Sequence, residues 1–134
     1  MTGELPQRVE QARVARLATV DARGRPHVVP ICFVLAGDVL YSAVDRKPKR
    51  SPRLKRLDNI RANPGVTVLV DHYEDDWSRL WWVRLRGRGR VLETGEERKR
   101  ALALLAVKYQ QYRAQPPDDA VIAIDLDDWL EWHA

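Results

Sequence analysis

The sequence predicts a mainly β fold with flanking helices, in which six antiparallel strands close into a small barrel. Short apolar runs of strand length recur along the 134 residues, and turns rich in glycine and aspartate separate the early runs. Strands and helices do not alternate regularly, which argues against a parallel sheet. Closure into a barrel would remove exposed sheet edges. A chain of 15.5 kDa is long enough for one hydrophobic core, so we expect a single domain over residues 1–134.

The first half of the chain consists of strand-length runs joined by short turns. Residues 21–24, Asp-Ala-Arg-Gly, predict a turn in which Gly24 takes a positive φ. The strand that follows, from 26 to about 35, is apolar on both faces, so we expect it to be covered on both sides. The elements predicted in this half are a helix at 4–13 and strands at 14–20, 26–35, 39–44 and 66–72.

The fifth predicted strand, 80–93, alternates between an apolar face and a cationic face. Arginines in a row on one face repel one another unless anions lie opposite. Asp125 and Asp127 of the last predicted strand, 121 to about 132, have a matching spacing, so cross-strand ion pairs are one interpretation. The acidic tail of a ligand is the other. The arginines concerned are Arg84, Arg86, Arg88 and Arg90.

The apolar face of the fifth strand contains two glycines, Gly87 and Gly89. Glycine weakens a strand interior, and its presence there indicates a bulge or the close approach of another backbone. After this strand, Thr94 and Glu97 have the spacing of a capping box and predict the start of a helix. The side of this helix predicted to pack on the core carries Leu102, Leu105, Tyr109 and Tyr112.

The cationic segment, residues 46–61, carries eight Lys or Arg residues among sixteen. Ser51 and Pro52 have the chemistry of a helix start, and the predicted helix runs from about 53 to 63. A cationic loop that leads into a helix can clamp a phosphate, whereas a solvated charged face is the alternative. We expect a buried stripe of Leu54, Leu57, Ile60 and Arg61, with Arg53, Lys55, Arg56 and Asn59 on the other sides.

The cysteine and histidine content argues against disulfide bonds and metal sites. Cys32 is the only cysteine, so an internal disulfide or a cysteine zinc cluster is impossible, and its apolar neighbours predict a small buried side chain. The histidines, His27, His72 and His133, lack a helical metal-binding spacing, and we predict no metal.

The net charge and the hydropathy of the chain limit the classes of partner that it can bind. The net charge of +4 permits an anionic partner. The cationic segment lacks the interleaved aromatic residues that stack on bases, which argues against nucleic acid. No apolar stretch approaches the roughly 20 residues that cross a bilayer, and the N-terminal residues lack the apolar core of a signal peptide. We therefore expect a cytoplasmic protein with no membrane partner.

Three segments carry a family resemblance: ARLATVDARGRPHVVPICF at 15–33, LKRLDNIRANPGVTVLVD at 54–71 and HYEDDWSRLWWVRLRGRGRV at 72–91. With the order of elements, they resemble the split β-barrel flavin and deazaflavin oxidoreductases of the pyridoxamine-phosphate-oxidase-like superfamily, the FMN-binding split barrels. The third segment resembles an actinobacterial branch assigned to coenzyme F420-dependent enzymes.

The resemblance implies a homodimer that binds its coenzyme in a groove between subunits. It also implies roles for particular residues, with the coenzyme phosphate on Lys55 and Arg56 and a Trp-Ser pair, Trp77 and Ser78, approaching the coenzyme. Lys47 and Lys49 are additional cations that we expect near the phosphate or the coenzyme tail. The ring pocket would be lined by Val28, Val29, Pro30 and Ile31, with Val44 near the ribityl and phosphate region.

The implied activity is hydride transfer from reduced coenzyme F420, a deazaflavin, to a small conjugated acceptor. We assign no catalytic residue; His27 is the nearest candidate proton donor. An FMN-dependent oxidase or reductase and a non-catalytic coenzyme carrier are the alternatives. FMN ends in one phosphate, whereas F420 continues into an acidic tail, so the abundance of arginine favours F420.

Overall fold

The computed structural model describes residues 3–44 and 53–134, with the side chains of residues 53 and 54 outside the description. Lys47 and Lys49, predicted to lie near the coenzyme, are outside the described residues. The helices are α1 (Gln7–Gln11), α2 (Arg53–Ala62), α3 (Glu96–Lys108) and α4 (Gln110–Ala114), with a 3-10 turn at Trp77–Arg79. The strands are β1 (Ala15–Val20), β2 (Pro26–Ile31), β3 (Val34–Ala36), β4 (Val39–Ala43), β5 (Gly65–His72), β6 (Trp81–Leu92) and β7 (Val121–His133).

The strands form one antiparallel sheet in the order β2-β1-β5-β6-β7-β4-β3. The two edge strands, β2 and β3, follow each other in the chain, with Cys32 and Phe33 between them. Three Cα steps span at most about 11 Å, whereas a flat sheet of this width would separate its edges by about 29 Å. The sheet must therefore curve strongly to bring its two edges together.

The predicted strand at 26–35 is divided into β2 and β3, so the expected count of six strands is wrong. β2 pairs with β1, and β3 pairs with β4. The chain thus passes from one edge of the sheet to the other at Cys32 and Phe33. A closed barrel is not confirmed, because β2 and β3 remain the two ends of the hydrogen-bonded order among the described strands.

The expectation that this strand is covered on both sides is also wrong for β2. Val28 is 65% exposed, and Pro26 and Pro30 are exposed beside it. A proline cannot donate to a neighbouring strand, which suits the edge position. β2 contacts the core through the half-buried Val29 and the buried Ile31.

Two apolar clusters hold the fold together. The first fills the concave side of the sheet, where α2 contributes Leu57 and Ile60 beside Leu17, Phe33 and Leu85. The second lies where α3 and α4 cover β4 and β7, and it contains the predicted residues Leu105, Tyr109 and Tyr112 with Leu102 at its margin. The helix stripe predicted from the sequence is therefore confirmed, although the helix is interrupted at Tyr109.

The glycines of β6 permit close packing, as predicted. A Cβ atom on Gly87 would lie 2.3 Å from the carbonyl oxygen of Asp125, and one on Gly89 would lie 2.9 Å from Cγ2 of Ile60. The register between β6 and β7 also shifts between Arg86 and Gly87. The bulge and the close approach of another backbone are both confirmed at Gly87. At Gly89 the neighbour is the side chain of Ile60, through which α2 packs on the sheet.

The bulge decides which acids pair with the arginines of β6. Arg90 Nε donates to Asp125 Oδ2 at 2.7 Å, as the spacing predicts. Arg86 Nε, however, donates to Asp128 Oδ1 at 3.0 Å, so the predicted pairing with Asp127 is wrong. Because Arg86 lies opposite Asp128 and Gly87 lies opposite Leu126, Asp127 is the extra residue of the bulge.

The predicted capping box at Thr94 and Glu97 is wrong. The N-cap of α3 is Gly95, which has a φ of 102°, a value that glycine adopts without steric cost. Glu97 instead accepts hydrogen bonds from Arg90 and Tyr41. The predicted helix at 4–13 is limited to α1, which begins directly after Pro6.

Candidate functional site

A polar stripe attaches α2 to the end of β1. Asn59 Nδ2 donates to Thr19 Oγ1 at 3.0 Å, and Asn63 Nδ2 donates to the carbonyl oxygen of Asp21 at 2.8 Å. Lys55 Nζ lies 3.6 Å from Asp21 Oδ2. Positions 55, 59 and 63 repeat every four residues, which places them on one side of a helix. The stripe therefore sets how α2 is rotated and where Lys55 points.

The buried stripe predicted for the cationic helix is wrong at two positions. Asn59, expected on an outer side, is 2% exposed. Arg61, expected in the buried stripe, is exposed and pairs with Glu93. The physical reason is the hydroxyl of Thr19, because an amide that is hydrogen-bonded to a buried partner can itself be buried.

Asp21 gathers several donors at the turn between β1 and β2. Its side chain is 5% exposed. Oδ1 accepts from the backbone N–H groups of Arg23 and Arg25, each at 2.9 Å, and Oδ2 accepts from Arg25 Nε at 2.8 Å. His27 Nε2 lies 3.9 Å from Oδ2. The backbone N–H of Arg25 is the main cause that holds the pKa of Asp21 well below its usual range, and the Arg25 side chain and the N–H of Arg23 add to it against the opposing effect of burial.

Two cavities meet at Arg56. A small one of about 40 Å³ is lined by Thr19, His27, Val29, Lys55 and Arg56. A larger one of about 260 Å³ is lined by Arg56 together with Val14, Pro30, Ile31, Cys32, Ala43 and Tyr112. The structure therefore brings together five of the predicted residues: Val29, Pro30, Ile31, Lys55 and Arg56.

Other predicted residues lie elsewhere in the single chain. Val28 is on the side of β2 opposite Val29 and faces solvent. Val44 is completely buried in the core, and its N–H donates to the carbonyl oxygen of Ala120 at 2.9 Å. Trp77 and Ser78 lie beyond the end of the β5–β6 hairpin where His72 pairs with Trp81. α2 enters that hairpin at its opposite end.

The Trp-Ser pair belongs to a locally ordered loop. Asp76 caps the 3-10 turn, accepting from the N–H of Ser78 at 3.1 Å and from its hydroxyl at 2.6 Å. Trp77 is 68% exposed, and its Nε1 donates to the hydroxyl of Tyr73 at 3.4 Å. The loop thus presents two aromatic side chains to solvent.

His27, Thr19 and Asp21 are site residues that sequence reasoning does not bring together. The sequence suggests His27 only as a candidate proton donor. The sequence signal that could have indicated them is the turn that begins at Asp21. His27 and Val29 are two positions apart in the strand after this turn and therefore share a face. Only the docking of α2 shows that this face meets Lys55 and Arg56.

A third cavity, of about 360 Å³, is lined by Arg13, Cys32, Tyr109, Gln111 and Tyr112. Cys32 is half-buried, whereas the sequence predicts a buried side chain. Cys32 also lines the cavity beside Arg56, and the two cavities therefore share a wall.

Two further features are absent from residues 3–44 and 53–134. No group of three or more His, Cys, Asp or Glu side chains among these described residues is placed to bind a metal ion. None of the helices in the same ranges has the length and apolar character to span a membrane.

Comparisons with known proteins place this fold in a family. Residues 1–133 match the family model described as pyridoxamine 5'-phosphate oxidase. A comparison with curated protein sequences finds no significant match.

Solved structures with low sequence identity share the fold. The heme storage protein HutZ of Vibrio cholerae is 16% identical over 98% of this chain and 95% of its own, with a TM-score of 0.73. A candidate pyridoxamine 5'-phosphate oxidase of Listeria innocua is 21% identical over 94% and 93%, with a TM-score of 0.66. An FAD-binding protein of Mesorhizobium loti is 22% identical over 92% and 87%, with a TM-score of 0.62. Since the family model spans nearly the whole chain, this protein belongs to the pyridoxamine 5'-phosphate oxidase family.

Proposed function

We propose that this protein is an oxidoreductase that binds a phosphate-bearing coenzyme of the flavin type, and that the coenzyme is F420. The observation that supports the proposal is the meeting of Lys55 and Arg56 with the apolar residues of β2 around two adjoining cavities. Cations beside an apolar wall suit a ligand that has a phosphate at one end and a flat ring at the other.

The two cations would act differently on the phosphate. The Arg56 guanidinium can donate two parallel hydrogen bonds to phosphate oxygens, whereas Lys55 contributes a compact charge. Pro30 and Ile31 would form the apolar side of the ring pocket beyond Arg56. When bound, F420 would supply two-electron hydride transfer. These residues would orient the coenzyme and exclude water, and none of them is required as a nucleophile.

The choice of F420 over FMN depends on cations for its acidic tail. Two arginines of β6, Arg86 and Arg90, already pair with acids of β7. Arg84 and Arg88 make no ion pair with any other residue that the structure describes. We propose that these two remaining cations contribute to tail binding. FMN is the alternative coenzyme, because it requires the phosphate site alone.

Coenzyme titration tests the phosphate site. Replacing Lys55 and Arg56 together by alanine should weaken coenzyme binding by roughly 2 to 5 kcal/mol, the scale found when buried charge pairs are truncated. Arg61→Ala is the matched control, since Arg61 is on the same helix but pairs with Glu93. Fluorescence titrations with F420 and with FMN provide both affinities. Unchanged affinity in a folded double variant would exclude the site.

The same titration separates the two coenzymes. The unsubstituted protein should bind F420 more tightly than FMN. Replacing Arg84 and Arg88 by methionine should weaken F420 binding but leave FMN binding unchanged, because only F420 has an acidic tail. Preference for FMN would favour the alternative coenzyme.

We also propose a homodimer with the coenzyme in a groove between subunits. Within one chain, Trp77 is separated from Lys55 and Arg56 by the length of the β5–β6 hairpin, whose eight-residue strand β5 is about 23 Å long at 3.3 Å a residue. A second copy could bring its Trp77 to the coenzyme. Trp77 would then hold the ring as a flat apolar wall.

Stopped-flow oxidation tests catalysis. Reduced F420 bound to the protein should be oxidised by conjugated acceptors such as quinones and enones, and only slowly by oxygen. Trp77→Ala should lower the rate with all acceptors about tenfold or more, because the ring loses its orientation. Trp82→Ala, by contrast, should alter their ranking if Trp82 contacts only the acceptor. Absence of any acceptor-dependent oxidation would favour the carrier alternative.

A further inference from the structure

One carboxylate connects the β1–β2 turn with the cationic site. Asp21 Oδ1 accepts the two backbone N–H groups that shape the turn, from Arg23 and Arg25. Oδ2 faces the other way, toward Arg25 Nε at 2.8 Å, Lys55 Nζ at 3.6 Å and His27 Nε2 at 3.9 Å. A turn of this kind requires only one side-chain oxygen. The second oxygen therefore serves the neighbouring side chains.

We propose that Asp21 is a positioning residue that holds the Lys55 ammonium where the coenzyme phosphate binds. This inference rests on the function proposed above. Lys55 has a flexible stem of four carbons and is 44% exposed, so an unrestrained ammonium would lose conformational freedom when it binds phosphate. A fixed carboxylate restricts that freedom before the ligand arrives, which lowers the entropic cost of binding.

The backbone of Asp21 strengthens this coupling. Its carbonyl oxygen accepts from Asn63, the residue directly after α2. The carboxylate thus contacts a residue near the start of the helix, and the carbonyl contacts the residue after its end. The turn and α2 form one unit, in which Lys55 is held from the β1 side.

The negative charge of Asp21 also acts against coenzyme binding, so a substitution that removes the charge can distinguish positioning from electrostatic competition. A negative charge close to Lys55 competes with a phosphate for the same ammonium. Removing it would strengthen anion binding if charge alone mattered. The two backbone N–H groups and the Arg25 side chain already balance much of that charge. We therefore expect positioning to outweigh competition, so that removing the charge weakens binding.

A double-mutant cycle tests the proposal. Asp21→Asn, Lys55→Met and the double variant are titrated with whichever of F420 and FMN the unsubstituted protein binds more tightly. Asp21→Asn should weaken binding about 5- to 10-fold, the effect of releasing one or two immobilised groups. In the Lys55→Met background the same substitution should have no effect, because the group that Asp21 positions is absent.

Gly24→Ala is the matched control for damage to the turn. Gly24 has a φ of 79°, and no atom lies within 4 Å of the place that a Cβ would occupy, so alanine strains the turn without touching the carboxylate. It should lower the melting temperature and leave affinity unchanged.

The outcomes distinguish the two proposals. No effect of Lys55→Met would overturn the proposed phosphate site itself. A clear effect of Lys55→Met, combined with unchanged or tighter binding by Asp21→Asn, would overturn the positioning role alone. Equal weakening by Asp21→Asn in both backgrounds would also overturn it.

A measurement on the unsubstituted protein covers the case in which Asp21→Asn does not fold. Side-chain NMR relaxation without coenzyme should show the Lys55 side chain to be more ordered than that of Lys99. Lys99 is the comparison because, among the described residues, its ammonium pairs with the exposed Glu96 at 3.4 Å, and its side chain is 72% exposed. Equal mobility of the two side chains would overturn the proposal.

Discussion

At the scale of single residues, Arg90 connects three elements through its guanidinium. It donates to both oxygens of Glu97 at 2.9 and 3.0 Å and to both oxygens of Asp125 at 2.7 and 3.0 Å. The Tyr41 hydroxyl donates to Glu97 at 2.7 Å. Hydrogen bonds from Arg90, and then from Tyr41, lower the pKa of Glu97 to about 2. The sheet and α3 are thereby joined by one network of charged hydrogen bonds.

Replacing Arg90 by methionine should lower the free energy of unfolding by about 1 to 2 kcal/mol, less than for a fully buried pair because the side chain is 40% exposed. Arg88→Met is the matched control: Arg88 is exposed on the same strand, and its loss should change stability by less than about 0.5 kcal/mol. Denaturant unfolding of both variants measures the difference. Equal effects would contradict the network.

The effect of Arg90→Met should depend on pH. Because folding lowers the pKa of Glu97 from 4.5 to about 2, its ion pair contributes fully above pH 4.5 and is lost as the pH falls toward 2. The difference in stability between the variant and the unsubstituted protein should shrink over that interval. A constant difference from pH 5 to pH 2 would assign the effect to packing.

At the scale of elements, the glycines of β6 determine how closely its neighbours approach. Gly87→Ala should destabilise the protein by about 2 to 3 kcal/mol, because the new methyl group meets the backbone oxygen of Asp125, which cannot move aside. Gly89→Ala should cost less, since it meets the Ile60 side chain. Gly65→Ala is the control, with no atom within 4 Å of the added group. Thermal unfolding ranks the three, and equal losses would contradict the steric explanation.

At the scale of the whole molecule, the open side of the sheet lacks a partner within the described chain. We call it the outer sheet face and define it by Val28, Leu69, Arg84, Leu130 and Trp132, which the strand registers place on one side. Val28, Leu130 and Trp132 are 65%, 51% and 45% exposed. Exposed large apolar side chains gathered on one face are typical of a surface that binds another protein.

We predict that this face joins two copies of the chain. Light scattering should then report twice the 15.5 kDa of the chain. Leu130→Arg should produce monomers at micromolar concentration, because it introduces a second unpaired cation into the interface, directly across from Arg84. Val107→Arg is the control, since Val107 is 78% exposed but lies on α3. A monomer in the unsubstituted protein, or equal dissociation by both variants, would contradict the prediction.

Local patterns in the sequence were sufficient for most elements. The positive φ of Gly24 is confirmed at 79°, and β6 has its predicted alternation because successive side chains of a strand point to opposite sides. The described range of α2, Arg53–Ala62, agrees with the helix expected over about 53 to 63, whereas Ser51 and Pro52, the predicted helix start, lie outside the described residues. Lys55 and Arg56 also adjoin β2 residues, as the resemblance implied, and their phosphate-binding role stays a prediction.

The tertiary structure decided what depends on contacts between distant residues. The strand at 26–35 divides because its halves pair with different partners, and its apolar pattern is the same in either case. Asn59 is buried because Thr19, forty positions away, offers a hydroxyl. Asp128 replaces Asp127 because one residue bulges from β7. The sequence by itself determined which segments form strands and helices, since this depends on neighbouring residues; the partners of each side chain, including Asp21 beside Lys55, depended on how the sheet curves and where α2 packs.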